Sequence, residues 1–224
     1  MRRAVSALIR KDVRLELRSP ESVPAMVLFS LSTFVLFHFA LDEEEVSGGL
    51  ASGILWVTLL FAAILGINRL FVAEREEGGF DGFLLAPVDR TALFVAKALL
   101  LGGFLAAVEV LVVAAFAILL LGPSPWGALP GLALVLALAD VGLAVIGTLV
   151  GALAVRTRAR DLLVPLLAIP LALPLVIAGS RACAPLLAVD GAGALEARWL
   201  LVLGLYDLVF GLLAYAIFDF LLEE

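Results

Sequence analysis

Six long apolar runs, separated by short charged or proline- and glycine-containing segments, limit this chain to one kind of fold before any motif is considered. They cover about residues 23–41, 50–72, 91–121, 126–155, 162–177 and 199–222. A helix rises about 1.5 Å per residue, so roughly 20 apolar residues cross the hydrocarbon layer of a bilayer. Each run is near or above that length except the fifth, which is marginal. The chain is 63% hydrophobic and 16% charged, against roughly 45–50% and 25% for a soluble domain. No soluble core of 224 residues buries that much apolar surface. The expected fold is an all-α integral membrane protein, a single transmembrane unit over residues 1–224. Inside lipid, each helix satisfies its own backbone donors and acceptors.

Residues 1–22 precede the first run and read as a basic amphipathic helix lying in the membrane interface. Val5, Leu8, Ile9, Val13 and Leu17 recur at helical spacing, while Arg3, Arg10, Lys11, Arg14 and Arg18 fall mostly on other faces. The charged stretch is too long for a cleavable signal, and no small-residue cleavage site follows the first apolar run. Ser19, Pro20 and Glu21 read as a helix start: a capping hydroxyl, a first-turn proline and an acid at the positive dipole end. Asp42-Glu43-Glu44-Glu45 forms an acidic loop after span one, and Gly122-Pro123-Ser124-Pro125 turns the chain between spans three and four. Arg2, Arg3, Arg10, Lys11, Arg14, Arg18, Arg69, Arg75, Arg90, Lys97, Arg156, Arg158 and Arg160 fall on one side of the membrane in this arrangement. Only Arg181 and Arg198 fall on the other. The positive-inside rule therefore predicts cytoplasmic N- and C-termini and supports an even number of spans.

Several chemistries are missing. The formal charge of −6 argues against a nucleic-acid partner, which would need a basic footprint. No G-x-x-x-x-G-K-[ST] occurs, so the chain cannot bind and hydrolyse ATP by that route. Neither H-E-x-x-H nor G-x-S-x-G occurs, which argues against an enzyme. Cys183 is the one cysteine, too few for an intrachain disulfide or a cysteine metal site, and reads as a small apolar filler. His38 is the one histidine and reads as a packed or interfacial side chain, not as a metal or haem-iron ligand.

Residues 73–90 are the most polar internal stretch. Glu74, Arg75, Glu76 and Glu77 extend span two as a charged helix, which Gly78-Gly79 breaks. Phe80, Phe83 and Leu84 then recur at i, i+3 and i+4, giving a short helix with an apolar face that Pro87 ends. Such a helix docks into a groove on a partner or lies on lipid; its polar face is acidic, which favours a protein.

Gly53-Ile54-Leu55-Trp56-Val57, Asn68-Arg69-Leu70-Phe71, Glu74-Arg75-Glu76-Glu77-Gly78 and Leu84-Leu85-Ala86-Pro87 carry a resemblance to a known family. Lys97 and the run Val164-Pro165-Leu166-Leu167-Ala168-Ile169-Pro170 continue it. Over nearly the whole chain the sequence resembles the haem exporter protein B family, permeases of the bacterial cytochrome c maturation system. That family is similar to the ABC-2 exporter class. The resemblance implies a homodimer in the inner membrane, seated on two copies of a separate ATPase subunit. It implies docking of the ATPase on Glu74, Arg75, Glu76, Glu77, Gly78, Phe80, Asp81, Phe83, Leu84, Leu85 and Pro87. It also implies three further partners: a haem-handling membrane protein, a small single-span protein and a periplasmic haem chaperone. ATP, bound only by the partner subunit, would drive haem export or release of the haem-loaded chaperone. One His, two Met, one Cys and two Tyr offer little axial ligation, so no cofactor is expected to be held permanently and haem enters as a handled ligand. An ABC-2 permease exporting a lipid, polysaccharide or drug would share the fold and the loop. A scaffold that only recruits partners is a further alternative.

Glu109 and Asp140 fall near the midplane of spans three and four, and Asp207 lies higher in span six. With no Lys or Arg at that depth, at least one carboxyl of the Glu109–Asp140 pair is expected to be protonated or hydrated. The three acids read as a polar path or gate, or else as a hydrogen-bonded packing pair or residues open to a water cavity. Pro165, Pro170 and Pro174 predict a bent or broken span five, then a re-entrant element over Ala178–Arg198, serving as an outer gate or as a static kink. Gly147-Thr148-Leu149-Val150-Gly151 predicts close helix packing, within the subunit in preference to between subunits.

Overall fold

The leucine- and alanine-rich runs form the helices of the computed structural model, which describes residues 1–41, 45–72, 90–121, 127–155, 157, 159–188 and 193–221. Among these residues seven helices follow one another: α1 Arg2–Arg18, α2 Ser22–Ala40, α3 Gly48–Arg69, α4 Arg90–Phe116, α5 Leu129–Val155, α6 Arg160–Cys183 and α7 Ala197–Leu221. A π-helical turn, Ala117–Leu121, prolongs α4. No strand occurs among the described residues. From α2 to α7, six helices are long and apolar enough to cross a membrane. The longest, Thr91–Leu121, has 31 residues, or about 46 Å of helix. The expected all-helical, six-span architecture is the one found.

The ends of five spans lie within three residues of the expected ones. The exception is α6, which runs unbroken from Arg160 to Cys183 through Pro165, Pro170 and Pro174. The sequence predicts a span ending near Ile177 and a re-entrant element over Ala178–Arg198; instead Ala178–Cys183 continues α6 and Ala197–Arg198 opens α7. Proline removes a donor and crowds the preceding turn, but a helix survives where neighbours satisfy the disturbed carbonyls. Pro174 withdraws the donor that would meet the Pro170 carbonyl, and the Tyr206 hydroxyl of α7 donates to the next carbonyl, that of Leu171, tying this turn of α6 to α7.

At the centre of the bundle is α5, packed against α3, α4, α6 and α7. Its glycines permit this. A Cβ on Gly147 would lie 2.6 Å from Leu101 Cδ2 and 2.7 Å from Ile67 Cγ1, and one on Gly151 would lie 2.9 Å from the Phe71 ring. The small face therefore packs within the subunit, against α3 and α4. On α6, a Cβ at Gly179 would meet the Trp56 indole at 2.3 Å. Beside it, Ser52 Oγ donates to the Ser180 carbonyl at 2.7 Å, joining α3 to α6.

Along α4 lies α1. At about 100° per residue, Val5, Ile9, Asp12 and Glu16 share the middle of one face, and Asp12 on that face is only 7% exposed. Leu17, expected on the apolar face, is 77% exposed. The helix start also differs from the expected one. Glu16 caps α2 instead of Ser19: its Oε1 accepts the backbone N–H groups of Glu21, Ser22 and Val23 at 3.1, 2.8 and 3.0 Å. A carboxylate carries full charge to the positive end of the helix and serves several orphan donors at once, which one hydroxyl does not.

Candidate functional site

Two polar centres interrupt the apolar bundle. The first lies at the α1 end. Lys97, near the start of α4, is 2% exposed. Its Nζ lies 2.9 Å from Asp12 Oδ2 and donates to the Leu70 carbonyl at 2.9 Å. The ammonium also sits 5.3 Å from the centre of the Phe71 ring. One side chain thus joins α1, α4 and the residues that follow α3. The contact is favourable on each count: opposite charge, a carbonyl at the negative end of a helix, and an aromatic face. Nearby, Arg69 pairs with Glu21. Acidic residues of α1 therefore hold both α4 and the start of α2.

Lys97 is expected from sequence as one more charge beside the membrane. Asp12 and Glu16 have no expected role at all. The signal was present: both acids sit in the middle of the face that bears Val5 and Ile9. An interfacial helix with only lipid beneath that face would not place carboxylates there. The expected docking residues Glu74, Arg75, Glu76, Glu77, Gly78, Phe80, Asp81, Phe83, Leu84, Leu85 and Pro87 lie outside the described residues.

The second centre is near mid-span. The structure brings Glu109 of α4 against Asp140 of α5, close enough for their side chains to share a hydrogen bond. Glu109 is 9% and Asp140 7% exposed. Asp140 Oδ1 is buried without a hydrogen-bond partner. The pair lines the deep part of a groove of about 720 Å³ between α4 and α5, which extends towards the end of the bundle away from α1. The remaining walls are apolar. Ala106, Val110, Ala114, Ile118, Ala133 and Ala137 are exposed along it, so the groove opens outwards.

The other residues of the expected path stand apart. Asp207 lies where α7 meets α5, its Oδ1 2.6 Å from the position of a Cβ on Gly142 and without a hydrogen-bond partner. Pro165 and Pro170 are on α6, which lines no part of the groove. His38 Nδ1 is 2.7 Å from the Leu119 carbonyl in the π-helical turn. A carbonyl only accepts, so Nδ1 carries the proton. In the same turn, the Leu120 carbonyl accepts the N–H of Val46 at 2.8 Å. Cys183 is buried. Among the described residues no group of three or more His, Cys, Asp or Glu gathers as a metal would require.

The family model described as CcmB protein matches residues 3–219. Heme exporter protein B of Bradyrhizobium diazoefficiens is 36% identical over 181 residues, which cover 80% of this chain and 80% of that protein. Proteins of the same name from Rhodobacter capsulatus and Pseudomonas aeruginosa are 35% and 31% identical, over 78% and 81% of this chain and 80% and 81% of their own lengths.

Proposed function

The chain belongs to the CcmB protein family, and from that membership we propose that it is the permease subunit of an ABC transporter for cytochrome c maturation. In this reading it spans the bacterial inner membrane with both termini in the cytoplasm. Two copies sit on two copies of a separate ATPase subunit, which alone binds ATP. Hydrolysis there drives haem export or release of a haem-loaded periplasmic chaperone. A haem-handling membrane protein and a small single-span protein complete the assembly. Haem is handled in passing, not held as a resident cofactor.

The observation that supports this best is the Lys97 junction. Lys97 binds the Leu70 carbonyl, just before residues 73–89, and stands on α4, just after them. A force applied by an ATPase to that segment would reach α1, α3 and α4 together. Glu74 to Pro87 are the proposed contacts.

The test uses the permease co-expressed with its ATPase subunit. Glu74→Lys and Phe83→Asp are expected to insert normally, to lose the co-purifying ATPase, and to abolish assembly of c-type cytochromes. If both variants retain the ATPase and mature cytochromes normally, the docking role is wrong. Intact cytochrome assembly with a hydrolysis-dead ATPase would point instead to a scaffold.

A further inference from the structure

We propose that the groove between α4 and α5 receives one transmembrane helix of another protein, carrying a Lys or Arg at the depth of Glu109 and Asp140. The inference goes beyond the ATPase reading and does not depend on it.

Shape is the first argument. Ala106, Val110, Ala114 and Ile118 recur every four residues along one edge of α4, and Ala133 and Ala137 face them from α5. From residue 106 to residue 118 the edge runs about 18 Å, or three helical turns. The alanines among them, Ala106 and Ala114 on α4 and Ala133 and Ala137 on α5, let a second backbone approach closely, as small residues do where helices pack in lipid.

Charge is the second. Two buried acids lie side by side, and Asp140 Oδ1 has no partner. Ionisable groups inside a membrane pair with one another or line a functional path. No Lys, Arg or His occurs between residues 98 and 155. The middles of α2, α3, α6 and α7 carry none either. A shared proton can hold the two acids together, but a base to pair with them at this depth can come only from outside the chain. A second copy cannot supply it, because it would present the same acids and no base.

Polarity along the groove excludes a lipid. A lipid keeps its head at the surface and its chain end at depth. This groove is apolar towards the surface and acidic at depth, so a lipid would set its methyl end against the carboxyls. A transmembrane helix can carry a polar side chain at any level.

The experiment uses the full chain in phosphatidylcholine nanodiscs. The probe is a synthetic Leu/Ala transmembrane peptide with one central Lys and a neighbouring photo-activatable leucine. Its control has Leu in place of Lys. Cross-links are mapped by mass spectrometry. The Lys peptide is expected to label residues 106–140 about threefold more than the control, as one buried polar contact in lipid would give. E109Q/D140N should erase that preference. Ala133→Trp, which fills the groove and leaves both acids in place, should block labelling by either peptide, so the test survives if the double variant fails to fold. Equal labelling by the two peptides would overturn the proposal. So would a Lys preference that persists in E109Q/D140N, or labelling abolished when phosphatidylethanolamine replaces phosphatidylcholine.

Discussion

A lysine that is 2% exposed persists only where its charge is met, and Lys97 is met by Asp12 and by the Leu70 carbonyl. Removing one partner of a buried pair strands the other charge, which typically costs about 3–5 kcal/mol, whereas replacing both by apolar groups is often neutral. Asp12→Asn should therefore lower the thermal midpoint of the purified protein sharply. Asp12→Leu combined with Lys97→Met should recover most of the loss. A double variant no more stable than Asp12→Asn would show that the two residues are not coupled. Half of this contact was legible in the sequence. The helical angle of Asp12 places it on the face of Val5 and Ile9, where a carboxylate belongs against protein and not against lipid. The partner was not legible, since nothing local links Asp12 to a residue on α4.

At the level of single helices, composition was a good guide to length except where proline intervened. Hydropathy and three prolines suggested that span five stops early, yet α6 continues to Cys183. A tertiary contact braces this part of α6: Tyr206 of α7 donates to the Leu171 carbonyl, one residue after the carbonyl that Pro174 leaves without its donor. Tyr206→Phe removes that donor alone and should cost about 0.5–1 kcal/mol, as single polar contacts between membrane helices do. A full-strength thermal transition in that variant would mean α6 needs no such support. Gly179 is the second control point. A Cβ there would lie 2.3 Å from the Trp56 ring, which is 1% exposed and so closely surrounded. Gly179→Ala should push α3 and α6 apart and destabilise by about 1–3 kcal/mol. Shrinking the ring with Trp56→Leu in the same chain should offset part of that loss, a sign that the clash and not the helix propensity of residue 179 is responsible.

For the molecule as a whole, the apolar runs sufficed to give the fold because a membrane leaves few alternatives to a helix. The mid-span acids were legible individually from their depth. Their pairing was legible only as an antiparallel register between neighbouring spans, and the groove beside them depends on which faces of α4 and α5 turn outwards. Sidedness is the property that the charges predict and that remains to be measured. Lys and Arg are heavily concentrated at the α1 end, which by the positive-inside rule belongs in the cytoplasm. The chain carries one cysteine, Cys183, and it is buried, so Cys183→Ala provides a background for single-cysteine labelling. Ser6 on α1 and Ala194 before α7 are both exposed. The helices α2 to α6 lie between them, five crossings in all, so the two positions must face opposite sides. With a membrane-impermeant maleimide applied from the periplasmic side, Ala194→Cys should label and Ser6→Cys should label only after the membrane is disrupted. The reverse pattern would leave the six spans intact and invert the orientation, removing the 73–89 segment from any cytoplasmic ATPase. Labelling of both from one side would contradict the span count itself.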